Sequence, residues 1–152
     1  MDKQSLLQTV LGEIRSRISD SELQLAEILR RANEAPGAMQ SHSDTDKNLY
    51  GRQAAGQREA VEAMERGHAL TEILVLEPNT NVAIGALVVA KDEKGTHRYF
   101  LLPGGGGITI EDAEGPIVIV TPQTPLGLAL LGKEKGGTVA IAARVLTILE
   151  VH

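Results

Sequence analysis

A heptad pattern in the first thirty-two residues constrains the fold of this chain more than any other feature. Positions alternately four and three apart are apolar or small: Leu7, Leu11, Ile14, Ile18, Ser21, Leu25, Ile28 and Ala32. This spacing places them along one seam of an α-helix, as in a coiled coil, with Ser21 as a polar gap. Leu6 and Val10 widen the early stripe and predict a broader buried face there. Proline and glycine in the segment 34–37 predict the helix end.

A second helical pattern follows a polar stretch. Positions again four and three apart are Tyr50, Ala54, Gln57, Val61, Met64 and His68. The two seams predict an antiparallel coiled-coil hairpin over residues 1–75, with its tip at about 36–46. Gly51, Gly56 and Gly67 interrupt the second helix, and we expect its small residues to allow close approach to the first: Gly51, Ala54, Ala55, Ala60 and Ala63. At 1.5 Å per residue, roughly 30 residues extend about 45 Å, so the hairpin is expected to project.

The pattern becomes β-like after Pro78. Six short apolar runs predict strands at 86–90, 98–102, 107–110, 116–120, 138–141 and 145–149. Residues 91–95 predict a hairpin turn between the first two, and residues 125–131 predict one short apolar helix. The fold class is therefore α+β, with a helical hairpin followed by a second domain at 79–152.

Composition excludes several classes of function. A net charge of −5 argues against a protein that binds mainly through nucleic-acid phosphates. The absence of cysteine excludes a disulfide scaffold and a thiolate zinc site. The four histidines form no HExxH pair, and the glycine run 104–107 lacks phosphate-loop spacing, which leaves a tight β-turn. No stretch predicts a signal peptide or a membrane span, so a cytoplasmic protein is expected.

Two aspartates stand out near the predicted tip. Asp44 and Asp46, with Asn48, resemble the opening of an EF-hand loop, but Leu49 and Ala55 occupy the positions that need glycine and glutamate. One interpretation is that Asp44 or Asp46 caps the second helix. The other is that the two carboxylates supply oxygen ligands to a metal held elsewhere.

The most distinctive segment is TPLGLALLGK, residues 124–133. Thr124 is suited to cap a helix, Pro125 to begin it and Gly132 to end it. Followed by KEKGGTV, this segment resembles the C-terminal signature of the bacterial Gre transcript-cleavage factors GreA and GreB. The resemblance extends to the hairpin and to Asp46-Lys-Asn-Leu-Tyr50, which falls where that family has its acidic tip. It implies an FKBP-like second domain of about six strands and one short helix.

In that family the globular domain binds the rim of the RNA polymerase secondary channel and the hairpin enters the channel. The resemblance implies rim contact at Thr124, Pro125 and Leu126, and tip function at Asp44 and Asp46. It implies a monomer that modulates elongation or cleavage of backtracked RNA, contacts nascent RNA indirectly and is no enzyme by itself. It also implies no tightly bound cofactor, since Mg²⁺ at the tip would be shared with the polymerase.

Three alternatives remain open. The family's tip usually reads D-x-x-E, whereas this chain has Ser43 and Asp46 there and Leu49 before Tyr50; a channel-binding inhibitor without cleavage activity, as in Rnk or the anti-Gre homologues, is one alternative. A peptidyl-prolyl isomerase is the second, although Tyr99 and Phe100 are adjacent and a strand would send them to opposite faces. A coiled-coil interaction protein, dimerising through the hairpin seam, is the third.

Overall fold

The fold is a pair of long helices followed by a six-stranded sheet that carries one short helix. The computed structural model describes the backbone of residues 2–34 and 41–152, and the side chains of 2–34 and 47–152. The elements in chain order are α1 Lys3–Glu34, α2 Ser41–Glu72, β1 Leu87–Asp92, β2 Gly95–Leu101, β3 Thr109–Asp112, β4 Gly115–Val120, α3 Pro125–Leu130, β5 Thr138–Ile141 and β6 Arg144–Val151. The predicted fold class, helices first and then about six strands with one short helix, is confirmed.

Helix α1 begins at a cap that the sequence analysis did not identify. The carboxylate of Asp2 accepts from the Ser5 amide at 2.9 Å and from the Ser5 hydroxyl at 2.8 Å. These bonds satisfy a donor that would otherwise be unpaired at the helix start, and they lower the pKa of Asp2. The early stripe is buried as predicted, including Leu6 and Val10. From Ile18 to Ala32 every predicted seam position is half-buried.

Helix α2 keeps the second predicted seam. Ala54 and Val61 are buried, and the other four seam positions are half-buried. The polar gap at Ser21 has a partner, because the Gln57 side-chain amide donates to the Ser21 carbonyl at 3.1 Å and to Gln24 Oε1 at 3.2 Å. A paired polar position of this kind fixes the register between two helices at some cost in stability.

The interpretation of the helical glycines is corrected by their surroundings. Within the described residues, a Cβ at Gly51 or Gly56 would meet nothing within 4 Å, so neither glycine is needed there for a close helix approach. Gly67 does, but toward a loop of the sheet domain: a Cβ there would lie 3.0 Å from the Cα of Gly104. In turn, a Cβ on Gly104 would lie 2.5 Å from the carbonyl carbon and oxygen of Gly67. At Gly104 the glycine run therefore serves a close backbone contact with α2.

The strand order in the sheet is β3-β4-β2-β1-β6-β5. All neighbours are antiparallel except β2 and β4, which run parallel with Arg98 opposite Ile117 and Leu101 opposite Val120. This parallel pair was not predicted from the sequence, because it arises when the β3–β4 hairpin folds back and places β4 beside β2. The predicted turn at 91–95 is present, with Asp92 opposite Gly95 and Gly95 at a φ of 135°.

Both faces of the sheet are covered. Alternate residues of β1, β2 and β6, with Leu130 of α3, form one core cluster that includes Val88, Tyr99 and Ile148. Phe100 is fully buried but does not belong to that cluster, as expected when neighbouring strand residues point to opposite faces. Ile14 of α1 packs closely on the loop of residues 103–108. Its Cδ1 atom would lie 3.1 Å from a Cβ added at Gly105.

The chain divides into two compact units. One combines residues 1–14 with 67–152, and the other consists of residues 15–66. Among the described residues, no helix is both long and apolar enough to cross a lipid bilayer.

Candidate functional site

The segment 124–126 is held by a complete set of local hydrogen bonds. Thr124 has an extended backbone, φ −83° and ψ 151°, and its Oγ1 accepts from the Gly127 amide at 3.1 Å. The same hydroxyl donates to the Thr121 carbonyl at 2.8 Å. One side chain therefore satisfies a helix donor and ties α3 to the end of β4, which confirms Thr124 as the predicted cap.

Glycine at position 127 is required by the tightness of this turn. A Cβ there would lie 2.0 Å from the Thr121 carbonyl oxygen, so no larger residue fits without moving the chain. The last turn closes when Leu131 donates to the Gly127 carbonyl, and Gly132 follows at a φ of 76°. The backbone then pairs with residue 82, because Gly132 donates to the Val82 carbonyl and Val82 to the Lys133 carbonyl.

The three predicted contact residues differ in exposure. Pro125 is exposed, whereas Thr124 and Leu126 are half-buried, and Leu126 packs against the core cluster. Leu128, one turn after Pro125, is 68% exposed, although the sequence analysis did not select it. Residues three apart on a helix share a face, so Pro125 and Leu128 form a small apolar surface at the start of α3.

The predicted tip residues Asp44 and Asp46 lie on the backbone of α2, and their side chains are outside the described residues. Helix α2 begins at Ser41, nine residues before the predicted seam begins at Tyr50. An N-cap immediately precedes the first helical residue, so the capping interpretation of Asp44 and Asp46 does not hold for this helix. In the part of the chain whose side chains are described, no three His, Asp or Glu residues are grouped as a metal site would require.

Three arginines of the two long helices are paired with carboxylates of the same helix. Arg30 donates to Glu27 and Glu34, and Arg31 donates to Glu27 at 3.0 Å. These bonds lower the pKa of Glu27 to about 2. Arg66 pairs in the same way with Glu62, at 4.0 Å. Such exposed pairs contribute little to stability, and they favour a solvated helix face over an RNA-binding stripe.

A polar cluster on the sheet was not predicted. At the turn between β1 and β2, Asp92 Oδ1 lies 2.8 Å from His97 Nε2, and Arg144 of β6 donates to Asp92 Oδ2 from Nε at 2.8 Å. The Asp92 side chain is 4% exposed, and the His97 bond, followed by that of Arg144, holds its pKa well below the ordinary carboxyl value. The His97 ring stacks on Tyr99 with centroids 6.2 Å apart.

This cluster ties β1, β2 and β6 together at one end of the sheet, and it contains no nucleophile. Asp92 and Arg144 are 52 residues apart, so no local motif could have revealed the pair. A second ion pair, more buried than the first, joins Arg98 to Asp112 at 2.9 Å, with side chains 11% and 4% exposed. Both pairs hold strands in register and are consistent with a structural role.

Comparison with known proteins gives matches among solved structures. No protein-family model and no curated protein matches the chain. It is 17% identical to GreA factor homolog 1 (Gfh1) of Thermus thermophilus, over 97% of this chain and 93% of that one, with a TM-score of 0.38.

Two further structures give similar values. For a second structure of the transcription factor Gfh1 the identity is 16%, the coverage 97% and 92%, and the TM-score 0.41. For Gfh1 of Thermus aquaticus the identity is 16%, the match covers 98% of this chain and 93% of that one, and the TM-score is 0.38. The chain is thus similar to a Gre-factor homologue along nearly all of its length, at low sequence identity.

Proposed function

We propose that this protein is a Gre-type accessory factor of bacterial RNA polymerase, which acts in the cytoplasm and modulates elongation through the secondary channel. The observation that carries the proposal is the segment 124–133. Its Gre-like sequence folds as a rigidly capped helix that presents Pro125 and Leu128 to solvent. A short apolar surface on a rigid support is suited to bind a partner, since little conformational entropy is lost on contact.

A Gre-type factor also needs a long helical pair that can enter the channel, and α1 and α2 fit this requirement. Among the described residues of 15–66 they carry mainly apolar seams and exposed charged faces, with the Gln57 and Ser21 bond fixing their register. Asp44 and Asp46 would act at the end of this helical pair, adding oxygen ligands to an Mg²⁺ ion that the polymerase holds. The protein would then be a cofactor of the polymerase's own hydrolysis and no catalyst by itself.

Binding is tested first, on polymerase core complexes backtracked by a defined number of nucleotides. Pro125→Asp replaces an exposed apolar contact while placing a carboxylate at a helix start, where it is tolerated. We expect this variant to lose about tenfold in polymerase affinity, the loss of one central contact. Ala113→Asp adds the same charge at the exposed β3–β4 turn and is the matched control. Equal affinity of both variants and of the unmodified protein would contradict the proposed contact surface.

The same complexes decide between stimulation and inhibition. If the tip is active, RNA cleavage is stimulated and the Asp44→Ala/Asp46→Ala variant binds but loses the stimulation. If the protein occupies the channel without promoting hydrolysis, it instead slows cleavage by added GreA, and the double variant retains that effect. Absence of polymerase binding would end the proposal in both forms.

The isomerase alternative gains no support from the geometry. Tyr99 is 5% exposed within the core cluster and Phe100 is fully buried, so neither ring lines an open pocket. A proline-peptide isomerisation assay tests this directly, and we expect no rate above the uncatalysed reaction.

A further inference from the structure

The segment between α2 and the sheet, residues 73–77 (ILVLE), exposes two large apolar side chains to solvent. Ile73 is 75% exposed and Val75 is 76% exposed, and Leu70 in the last turn of α2 is 54% exposed. Single exposed apolar residues are ordinary on protein surfaces, but three within six positions form a continuous apolar strip.

The segment alternates like a β-strand. From Ile73 to Glu77 the residues are exposed, half-buried, exposed, half-buried and exposed. The two inner leucines share a side, since Leu76 Cδ2 would lie 3.2 Å and Leu74 Cδ2 3.7 Å from a Cβ at Gly85. A two-residue period is that of extended chain, and Pro78 biases Glu77 toward the same conformation.

The backbone at the centre of this segment has amide and carbonyl groups that are not hydrogen-bonded within the described residues. Within the described part of the chain, neither the amide nor the carbonyl of Val75 or Leu76 has a hydrogen-bond partner. Both ends are fixed, because Leu74 donates to the Thr71 carbonyl and the Glu77 carbonyl accepts from Lys3 Nζ at 2.8 Å. Ile73 donates to the Ala69 carbonyl and Leu74 to the Thr71 carbonyl, so the last helical turn ends there, and the backbone from Val75 to Glu77 is the part preorganised to pair with another strand.

The charge at its end indicates what kind of strand would pair. Glu77 is exposed and lines, with Lys3, Pro78 and His152, a groove of about 500 Å³. The Lys3 ammonium is directed to the carbonyls of Glu77 and Gly85, while Glu150 pairs with His152 at 3.0 Å. A basic residue at the end of the incoming strand would therefore complement Glu77, whereas a second copy of this acidic segment would bring no basic residue of its own.

We propose that residues 73–77 bind an extended partner segment that has alternating branched apolar residues and a lysine or arginine at its ends. The partner would add main-chain hydrogen bonds at Val75, cover Ile73 and Val75, and place its cation beside Glu77. This inference does not depend on the polymerase proposal, because it involves neither residues 124–126 nor the two aspartates of the tip.

The test uses the full chain labelled with ¹⁵N and the probe peptide acetyl-Lys-Thr-Val-Thr-Val-Thr-Lys-amide. We expect amide shifts confined to the neighbourhood of 73–77 and an exchange rate of the Val75 amide about tenfold slower at saturation. A peptide with glutamate at both ends should bind about tenfold more weakly, and Glu77→Lys should reverse that preference.

Two controls distinguish strand pairing by the peptide from non-specific hydrophobic binding. Val75→Asp should weaken peptide binding about tenfold, and Val145→Asp, which changes another exposed valine (59%) in the same way, should leave it within twofold. The proposal is overturned if a peptide N-methylated at both valines binds equally well, or if no shift appears at millimolar peptide. It is equally overturned if sedimentation of the protein alone shows a dimer that Val75→Asp abolishes, since the occupant would then be a second copy.

Discussion

Gly67 and Gly104 meet backbone to backbone, and this contact makes Gly104 of the loop after β2 respond to substitution in the opposite sense to Gly56 of α2. Gly56→Ala fills open space and removes the entropy cost of a helical glycine, so we expect a gain of about 0.5–1 kcal/mol in the free energy of unfolding. Gly104→Ala would force a Cβ to within 2.5 Å of the Gly67 carbonyl, and we expect a loss of about 1–3 kcal/mol. Urea denaturation followed by circular dichroism measures both, and a stabilised Gly104→Ala variant would show that the loop moves freely away from α2.

Thr124 couples a cap and a turn through one hydroxyl, which predicts a specific pattern of rescue. Thr124→Val keeps the shape but removes both the bond from the Gly127 amide and the bond to the Thr121 carbonyl. We expect a loss of about 1 kcal/mol, or about 2–4 °C in Tm, and recovery in Thr124→Ser because serine supplies the same oxygen. If Thr124→Val melted like the unmodified protein and Thr124→Ser melted lower, the methyl group and not the hydroxyl would be what α3 needs.

At the scale of elements, the Asp92 cluster makes the junction of β1, β2 and β6 sensitive to acid. Its bonds to His97 and Arg144 lower the pKa of Asp92 below the ordinary value of 3.8, so the folded state binds its proton less readily than the unfolded chain. The stabilisation is therefore complete above about pH 4 and is lost as the pH falls further. We expect Asp92→Asn to be less stable than the unmodified protein at pH 7 and the difference to become smaller at pH 3.

The control for this prediction is the neighbouring turn residue. Glu93 is exposed and its Glu93→Gln variant removes the same charge without touching the cluster. Urea midpoints at pH 7, 5 and 3 give the comparison. A constant difference between Asp92→Asn and the unmodified protein across this range would assign the effect to packing instead of to proton binding.

Patterns within one element were readable from the sequence, and relations between elements were not. The α1 seam and the short helix at 125–130 follow from periodicity, a cap and a proline, all of which act within a few residues. The parallel pairing of β2 with β4 depends on how a hairpin folds back, and the ion pair of Asp92 with Arg144 joins residues 52 apart. For the candidate site, the cap at Thr124 was predictable locally, whereas the exposure of Leu128 depends on which face of α3 packs against the sheet.

At the scale of the whole molecule, the two units differ in how much apolar surface they bury. Among the described residues of 15–66, only Ala54 and Val61 are buried hydrophobics, whereas the unit of 1–14 and 67–152 has a core on both faces of its sheet. Helices without deep packing depend on marginal propensity and exposed ion pairs, each contributing about 0.3–0.5 kcal/mol. The helical unit is therefore expected to open locally before the sheet does.

Amide hydrogen exchange measures this difference directly. We expect amides of residues 18–32 and 52–63 to exchange at least about tenfold faster than those of β1 and β2, because local opening there exposes little apolar surface. Gly56→Ala should slow exchange in the helical unit alone, while Gly104→Ala should speed it in the sheet unit. Uniform protection across both units would mean that they unfold together, and the seams of α1 and α2 would then have to contribute far more stability than their half-buried residues suggest.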